Sequence, residues 1–137
     1  MAKLFKFQVV APKRVFYSEE VEMITFNTEN GEMGVMAGHV PMLIANKPCV
    51  LTMVKNGEKK YAFISEGFIE VTGDKVTAIV DNAQWAEEID VERAMRDKKW
   101  AEEQLINNKV DLQMKAQLQA SIERAAGRIK TAKTLRQ

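Results

Sequence analysis

The chain has 137 residues, enough for one domain of common size or a small domain with an appendage, which leaves no room for a large enzyme. Its 20 Lys plus Arg nearly balance 19 Asp plus Glu, so the net charge is +1 and the whole chain has no electrostatic drive toward nucleic acid or an anionic membrane. The single cysteine, Cys49, excludes an intrachain disulfide and suits a reducing compartment.

The opening segment from Met1 to Lys6 lacks the apolar run and small-residue cleavage site of a signal peptide, and no stretch approaches the roughly 20 apolar residues of a membrane span. The expectation is a cytoplasmic protein with no direct membrane span, reaching a membrane only through a partner. Phe5, Phe7 and Val9 then alternate with Lys6 and Gln8, the pattern of a strand with one buried face. Further runs rich in β-branched and aromatic residues follow at Val21 to Thr28, Val50 to Val54, Tyr61 to Ile64, Phe68 to Val71 and Val76 to Val80. Asn30-Gly31 and Asn56-Gly57 supply the positive φ angles of tight hairpins, and Gly73-Asp74 separates the last two runs. These signals predict antiparallel pairing in a small β-sandwich over residues 1–84.

From residue 85 to 137 the texture changes: Gly and Pro cease except for Gly127, and Ala, Glu, Lys, Gln, Leu and Arg dominate. The prediction is an antiparallel two-helix hairpin. Asp90 caps the first helix, Ile89 staples onto Ala94, Asn107 and Asn108 break the helix, and Asp111 caps the second. Leu118, Ile122, Ala125, Ile129 and Ala132 recur at four and three residues as one narrow, alanine-rich stripe. Such a seam buries less area than one of Leu or Phe, at about 25 cal/mol per Å², so the hairpin is expected to dock weakly and to act as a switch. Glu87, Glu88, Asp90, Glu92, Asp97, Glu102 and Glu103 make the first helix acidic, while Lys115, Arg124, Arg128, Lys130, Lys133 and Arg136 make the second basic. The expectation is attraction between the two helices when folded and a cationic helix offered to an acidic protein surface when opened. The eight methionines and Trp85 read as packing, and Trp100 is expected to cover the β domain or a partner.

Three stretches carry a family resemblance: Gly31-Glu32-Met33-Gly34 with His39-x-Pro41-Met42, Ser65-Glu66-Gly67-Phe68-Ile69-Glu70-Val71, and Ile89-Asp90-x-x-Arg93-Ala94. In order and spacing they resemble the epsilon subunit of bacterial and chloroplast F-type ATP synthases, over essentially the whole chain. Glu66 departs from the pattern, which often has glycine there, and so asks for a backbone that a side chain tolerates. The resemblance implies a non-catalytic central-stalk subunit with no catalytic residue and no metal site, coupling ion translocation to ATP synthesis on the cytoplasmic face of the bacterial cell membrane as a peripheral protein. It implies that the β domain binds the gamma subunit and the c-ring, with Glu32, Gly38, His39, Pro41 and Met42 at that rotor junction. The hairpin, when extended, is implied to meet the alpha and beta catalytic subunits and restrain ATP hydrolysis.

Several of these residues also have ordinary structural readings. Gly31, Gly34 and Gly38 suit turn dihedrals, Pro41 rigidifies a strand entry, His39 hydrogen-bonds a nearby carbonyl, and Glu32 is a solvated carboxylate. His39 has no evident serine or cysteine partner for a catalytic role. The resemblance also associates the Ile-Asp motif with regulatory ATP, although no cofactor is required. Ile89, Asp90, Arg93 and Ala94 at a helix N-terminus, joined by Arg124 and Arg128, would offer cationic donors and backbone amides to it. The alternative is a plain helix cap with solvated arginines. Two other function classes stand beside the rotor reading. A nucleic-acid binder would use the basic second helix, but the β domain shows no stacking motif. A small standalone enzyme would have to turn over substrate by itself.

Overall fold

The computed structural model describes residues 3–135, so Arg136 and the first two residues of the opening segment lie outside it. Ten strands form two sheets of five among the described residues. In chain order they are β1 (Phe5–Ala11), β2 (Arg14–Val21), β3 (Met23–Thr28), β4 (Gly31–Met36), β5 (Met42–Asn46), β6 (Cys49–Lys55), β7 (Glu58–Ile64), β8 (Gly67–Thr72), β9 (Lys75–Val80) and β10 (Ala83–Trp85). One sheet has the order β2-β1-β9-β8-β5 and the other β10-β7-β6-β3-β4. Pairing is antiparallel except between β1 and β9, which run parallel with Phe7 opposite Val76.

Alternation buries Phe5, Phe7 and Val9 from β1 against Ile24, Phe26, Leu51, Met53 and Ile69 from the other strands, and this apolar layer between the sheets is the core. Asn56 and Gly57 adopt φ of 53° and 77°, the geometry a two-residue hairpin needs between β6 and β7. The run from Val21 to Thr28 is not one strand. It breaks at Glu22, where the chain leaves the first sheet and enters the second, and the Glu22 carboxylate accepts the Asn56 amide at 2.6 Å to hold that corner. Strands β2, β4, β5 and β10 lie at sheet edges, where β2 and the glycine-bearing β4 are largely exposed and carry no clean alternation. One open side of the sandwich, between edges β2 and β10, is closed by aromatic packing. Trp85 lies 4.7 Å from the Phe16 ring and 5.8 Å from that of Tyr17.

After a 3-10 turn at Ala86–Glu88, helix α1 (Val91–Asn107) and helix α2 (Leu112–Thr134) form the hairpin. Asp90 accepts the Arg93 amide at 3.1 Å and Asp111 accepts that of Met114 at 2.7 Å, so both helix starts are capped as expected. Helix α2 lies on β6 and β7, while α1 packs chiefly on α2. Ile89 is held by Phe63 and Ala132 beside Val91, so its staple reaches across to β7 and α2.

Candidate functional site

Helix α2 meets the sandwich at Phe63, which projects from the outer face of β7 and is fully buried. The neighbouring Ala62 and Ile64 fill the core instead. Gly127 sits directly over the ring: a Cβ there would stand 2.9 Å from Phe63 Cε1, so the contact requires glycine or a displaced ring. One turn on, buried Thr131 returns its hydroxyl to the Gly127 carbonyl at 2.7 Å, which satisfies the polar group inside the apolar seam.

Polar contacts flank that centre on both sides. Arg128 lays its guanidinium 4.6 Å from the Phe63 ring centroid and donates from Nε to Gln84 Oε1 at 2.8 Å. Burial lowers the Arg128 pKa, and the neighbouring charge of Arg124 adds to that effect. Arg124 makes a two-pronged pair with Glu66, Nε to Oε1 at 3.0 Å and Nη2 to Oε2 at 2.9 Å. The Arg124 hydrogen bonds, more than any other influence, hold the Glu66 carboxyl below its ordinary value. The backbone at Glu66 does not take a positive φ, so glycine is not needed there and the side chain is free to reach α2.

The charge expectation for the hairpin holds only at longer range, where Asp97 of α1 acts favourably on Arg128 of α2. Among the described residues no ion pair joins α1 to α2: Arg93 pairs with Asp97 and Lys98 with Glu102 within α1, whereas α2 pairs outward, Arg124 with Glu66 and Glu123 with Lys47. The face of α2 carrying Arg124 and Arg128 is the face laid on the sandwich, so those cations are spent on the β domain. For Trp100 only the first of the two expected roles is excluded. It is 59% exposed, beside a shallow recess with Gln104, Met114 and Leu118, and so does not cover the β domain.

The six residues nominated around the Ile-Asp motif are only partly brought together. Asp90, Arg93, Ala94 and Arg128 line a recess of about 390 Å³ with Asn82, Gln84, Glu88 and Asp97. Ile89 is not in that lining but is buried with Phe63 and Ala132, and Arg124 is turned toward Glu66. Two guanidinium groups (Arg93 and Arg128) therefore face three carboxylates (Glu88, Asp90 and Asp97), which leaves the lining net negative. Donors for a phosphate are present, but the Arg93 amide at the helix N-terminus already serves Asp90. No group of three or more His, Cys, Asp or Glu suited to a metal ion occurs among the described residues.

The residues nominated for a rotor junction lie together where the two sheets' edges β4 and β5 succeed one another. Glu32 is exposed on β4; Gly38 takes φ of 82° in the turn; Pro41 immediately precedes β5, and Met42 begins it. His39 Nδ1 lies 3.1 Å from the Val40 carbonyl, the local hydrogen bond of its structural reading. Met36, Val40 and Leu43 are large apolar side chains left exposed around this edge. A second apolar surface escaped the sequence reading. Cross-strand partners Val15, Val10, Ile79, Phe68 and Ala45 make one row across all five strands of the first sheet, with Val15, Ile79 and Phe68 at least half exposed. The signal was available in β9, where Val76, Ala78 and Val80 are the buried set and Ile79 is an apolar residue on the solvent parity.

Comparison with known proteins matches both halves. Residues 4–86 fit the family described as ATP synthase, Delta/Epsilon chain, beta-sandwich domain, and residues 87–133 fit ATP synthase, Delta/Epsilon chain, long alpha-helix domain. The ATP synthase epsilon chain of Caldanaerobacter subterraneus subsp. tengcongensis is 39% identical over 133 residues, 96% of each chain. That of Alkaliphilus oremlandii is 41% identical over 105 residues, 77% of this chain and 78% of the relative. Among solved structures, a chain in the mitochondrial ATP synthase of Euglena gracilis, an assembly described as OSCP/F1/c-ring, superposes with a TM-score of 0.78 at 26% identity, covering 90% of this chain and 78% of that one.

Proposed function

The chain belongs to the ATP synthase delta/epsilon family as an epsilon-type, non-catalytic stalk subunit, and from that premise we propose that its β-sandwich grips the rotor while its hairpin regulates ATP hydrolysis. The observation that carries this reading is the unequal build of the two halves. A sandwich with a bulky interlocked core bears two exposed apolar surfaces, and the hairpin on it buries mostly Ala, Gly and Thr, with Arg124 and Arg128 at the contact. The β4–β5 edge with Glu32, Gly38, His39, Pro41 and Met42, together with the row through Phe68 and Ile79, is the surface for the gamma subunit and the c-ring. Released from the sandwich, α2 would present Arg124, Arg128, Lys130 and Lys133 to acidic surfaces of the alpha and beta catalytic subunits. Each exposed ion pair adds only about 0 to 1 kcal/mol, so the restraint depends on several together and weakens with salt.

ATP is the proposed regulatory ligand of the folded hairpin, taken into the recess between Asp90, Arg93, Ala94 and Arg128 beside Ile89, with Arg124 released from Glu66 to add the third guanidinium that balances its three carboxylates. A ligand that binds only the folded form favours it by RT ln(1 + [L]/Kd), about 1.4 kcal/mol at tenfold excess over Kd. No helix among the described residues is long and apolar enough to cross a membrane. Attachment at the cytoplasmic face of a bacterial membrane therefore runs, in this reading, through the rotor.

The test removes residues from Glu87 onward in the assembled complex. The expected outcome is retained assembly and coupling with faster ATP hydrolysis. Unchanged hydrolysis would remove the regulatory half of the proposal, and loss of assembly would remove the division of labour. Turnover by the isolated chain, or salt-sensitive retention of duplex or single strands, would instead favour the enzyme or nucleic-acid reading.

A further inference from the structure

The Ser65-Glu66-Gly67 segment is fixed from three directions before it meets the hairpin. Ser65 exchanges two bonds with Asn82: its amide donates to the Asn82 carbonyl at 3.0 Å, and its hydroxyl accepts the Asn82 amide at 2.9 Å. Asn46, itself 4% exposed, donates from Nδ2 to the Ser65 carbonyl at 3.0 Å and to that of Lys47 at 3.1 Å. On the other side Gly67 is pressed so closely on β9 that a Cβ would stand 2.1 Å from the Ile79 carbonyl oxygen. A backbone held at these points fixes where the Glu66 side chain starts, so pairing has only side-chain freedom left to lose.

Opposite it stands Arg124, 58 residues along the chain, meeting both carboxylate oxygens with two different nitrogens. This fork fixes direction as well as distance, because a guanidinium bonds a carboxylate in this way only in one plane. The pair lies one helical turn from Arg128, which is already engaged by Phe63 and Gln84, and Gly127 closes on the same ring. Three neighbouring contacts, ionic at Arg124, stacked at Arg128 and close-packed at Gly127, therefore define one orientation of α2 on β7. The other sandwich-to-helix ion pair, Lys47 to Glu123 at 3.6 Å between more exposed side chains, has a single prong and a looser geometry.

We propose that Glu66 and Arg124 form a clasp that locks the hairpin onto the sandwich in the absence of any ligand, with Glu66 as an internal carboxylate that keeps Arg124 out of the recess at the start of α1. Helix α1 has its main packing on α2, so whatever the clasp adds to the docking of α2 is felt by both helices. Opening the hairpin requires breaking the clasp, and any anion that recruits Arg124 must displace Glu66.

The test uses the full chain without nucleotide, following backbone hydrogen exchange of α2 from Leu118 to Ala132, with β1 and β9 as internal references. Glu66→Ala and Arg124→Ala are each expected to speed exchange in α2 by about threefold to fivefold, the range open to one partly exposed pair. The reference strands should stay unchanged. The double variant should exchange no faster than the more affected single one, since a clasp already opened cannot be opened again. Unchanged exchange in either single variant overturns the proposal, as does a double variant whose effect is the product of the two. ATP enters no arm of this experiment, so a failure of the nucleotide reading leaves the result intact.

Discussion

The two halves of this chain bury side chains of different size. Between the sheets, Phe7, Phe26, Ile24, Leu51, Met53 and Ile69 lose all or nearly all contact with solvent. In the two helices the buried residues are Ala94, Ala101, Leu118, Ala125, Gly127, Thr131 and Ala132, among which only Leu118 is a large apolar side chain. Since apolar burial contributes about 25 cal/mol per Å², the sandwich is committed to one structure while the hairpin is held by many small contacts acting together. Large interlocked side chains and small, loosely held ones are thus separated along the chain, the division of labour that the proposed function requires. Opening the hairpin leaves the core between the sheets untouched.

The comparison is sharpest where one truncation removes a keystone. Phe7→Ala is expected to destabilise the sandwich by about 3 to 5 kcal/mol, because it empties a ring-sized space between two rigid sheets. Urea unfolding followed by the near-ultraviolet signal of Trp85, packed on Phe16 and Tyr17, measures this directly. A midpoint that hardly moves would mean the sandwich core is as forgiving as the hairpin seam, and the contrast would fall.

Next in size is Gly127→Val, which drives two methyl groups toward the Phe63 ring where even a Cβ would stand at 2.9 Å. Overpacking of this kind costs about 1 to 3 kcal/mol, and here it is expected to lift α2 away while leaving β1 and β9 fully protected from exchange. Loss of protection throughout the molecule would show that the halves are one cooperative unit.

The separation was largely legible in the residues. Alternating Phe5, Phe7 and Val9 named a buried face, Asn56-Gly57 named a hairpin, and Asp90 and Asp111 named two helix starts, because each depends on bonds between near neighbours. What escaped depends on distant partners. The parallel contact of β1 with β9 joins segments some 70 positions apart and leaves no local trace. Strands β4 and β10 take their status from the sheets they border. Phe63 had a signal that was open to use: Ala62, Phe63 and Ile64 are apolar in succession, the texture of a strand covered on both faces, which announces a second layer over β7. In the candidate site, Asp90, Arg93, Ala94 and Arg128 could be grouped from motif and helical spacing. That Arg124 turns away from them could not, because its partner Glu66 is supplied by the angle at which α2 settles on the sandwich.

Asp90→Ala tests a smaller element of the contrast, the helix start on which α1 depends. It deletes the oxygen that accepts the Arg93 amide at 3.1 Å, at a typical cost of about 1 kcal/mol. In α1 it is expected to fray the first turn, seen as faster exchange at Arg93 and Ala94, whose amides bond Asp90, with unchanged protection of β8 and β9.

The smallest effect concerns acid. Arg124 is the main reason the Glu66 carboxyl sits below its ordinary value of 4.5 in the docked form, and the more distant charge of Arg128 acts in the same direction. Asp81 is the other charge felt by Arg124. A carboxyl whose pKa is lower when docked than when free favours docking in full above the free value and loses that contribution as pH falls through the docked value. Docking should therefore be flat from neutrality to about pH 5 and weaken only in stronger acid. The side chains of Arg124 and Glu66 are 39% and 38% exposed, so solvent screening holds the contribution to about 0 to 1 kcal/mol, at most about fivefold in protection. Protection factors of α2 relative to β1 and β9 between pH 6 and 3 measure it, with Glu66→Ala as the flat reference. If the variant lost relative protection in parallel with the unaltered chain, the acid response would belong to other carboxylates and the Glu66–Arg124 pair would hold no measurable part of the hairpin.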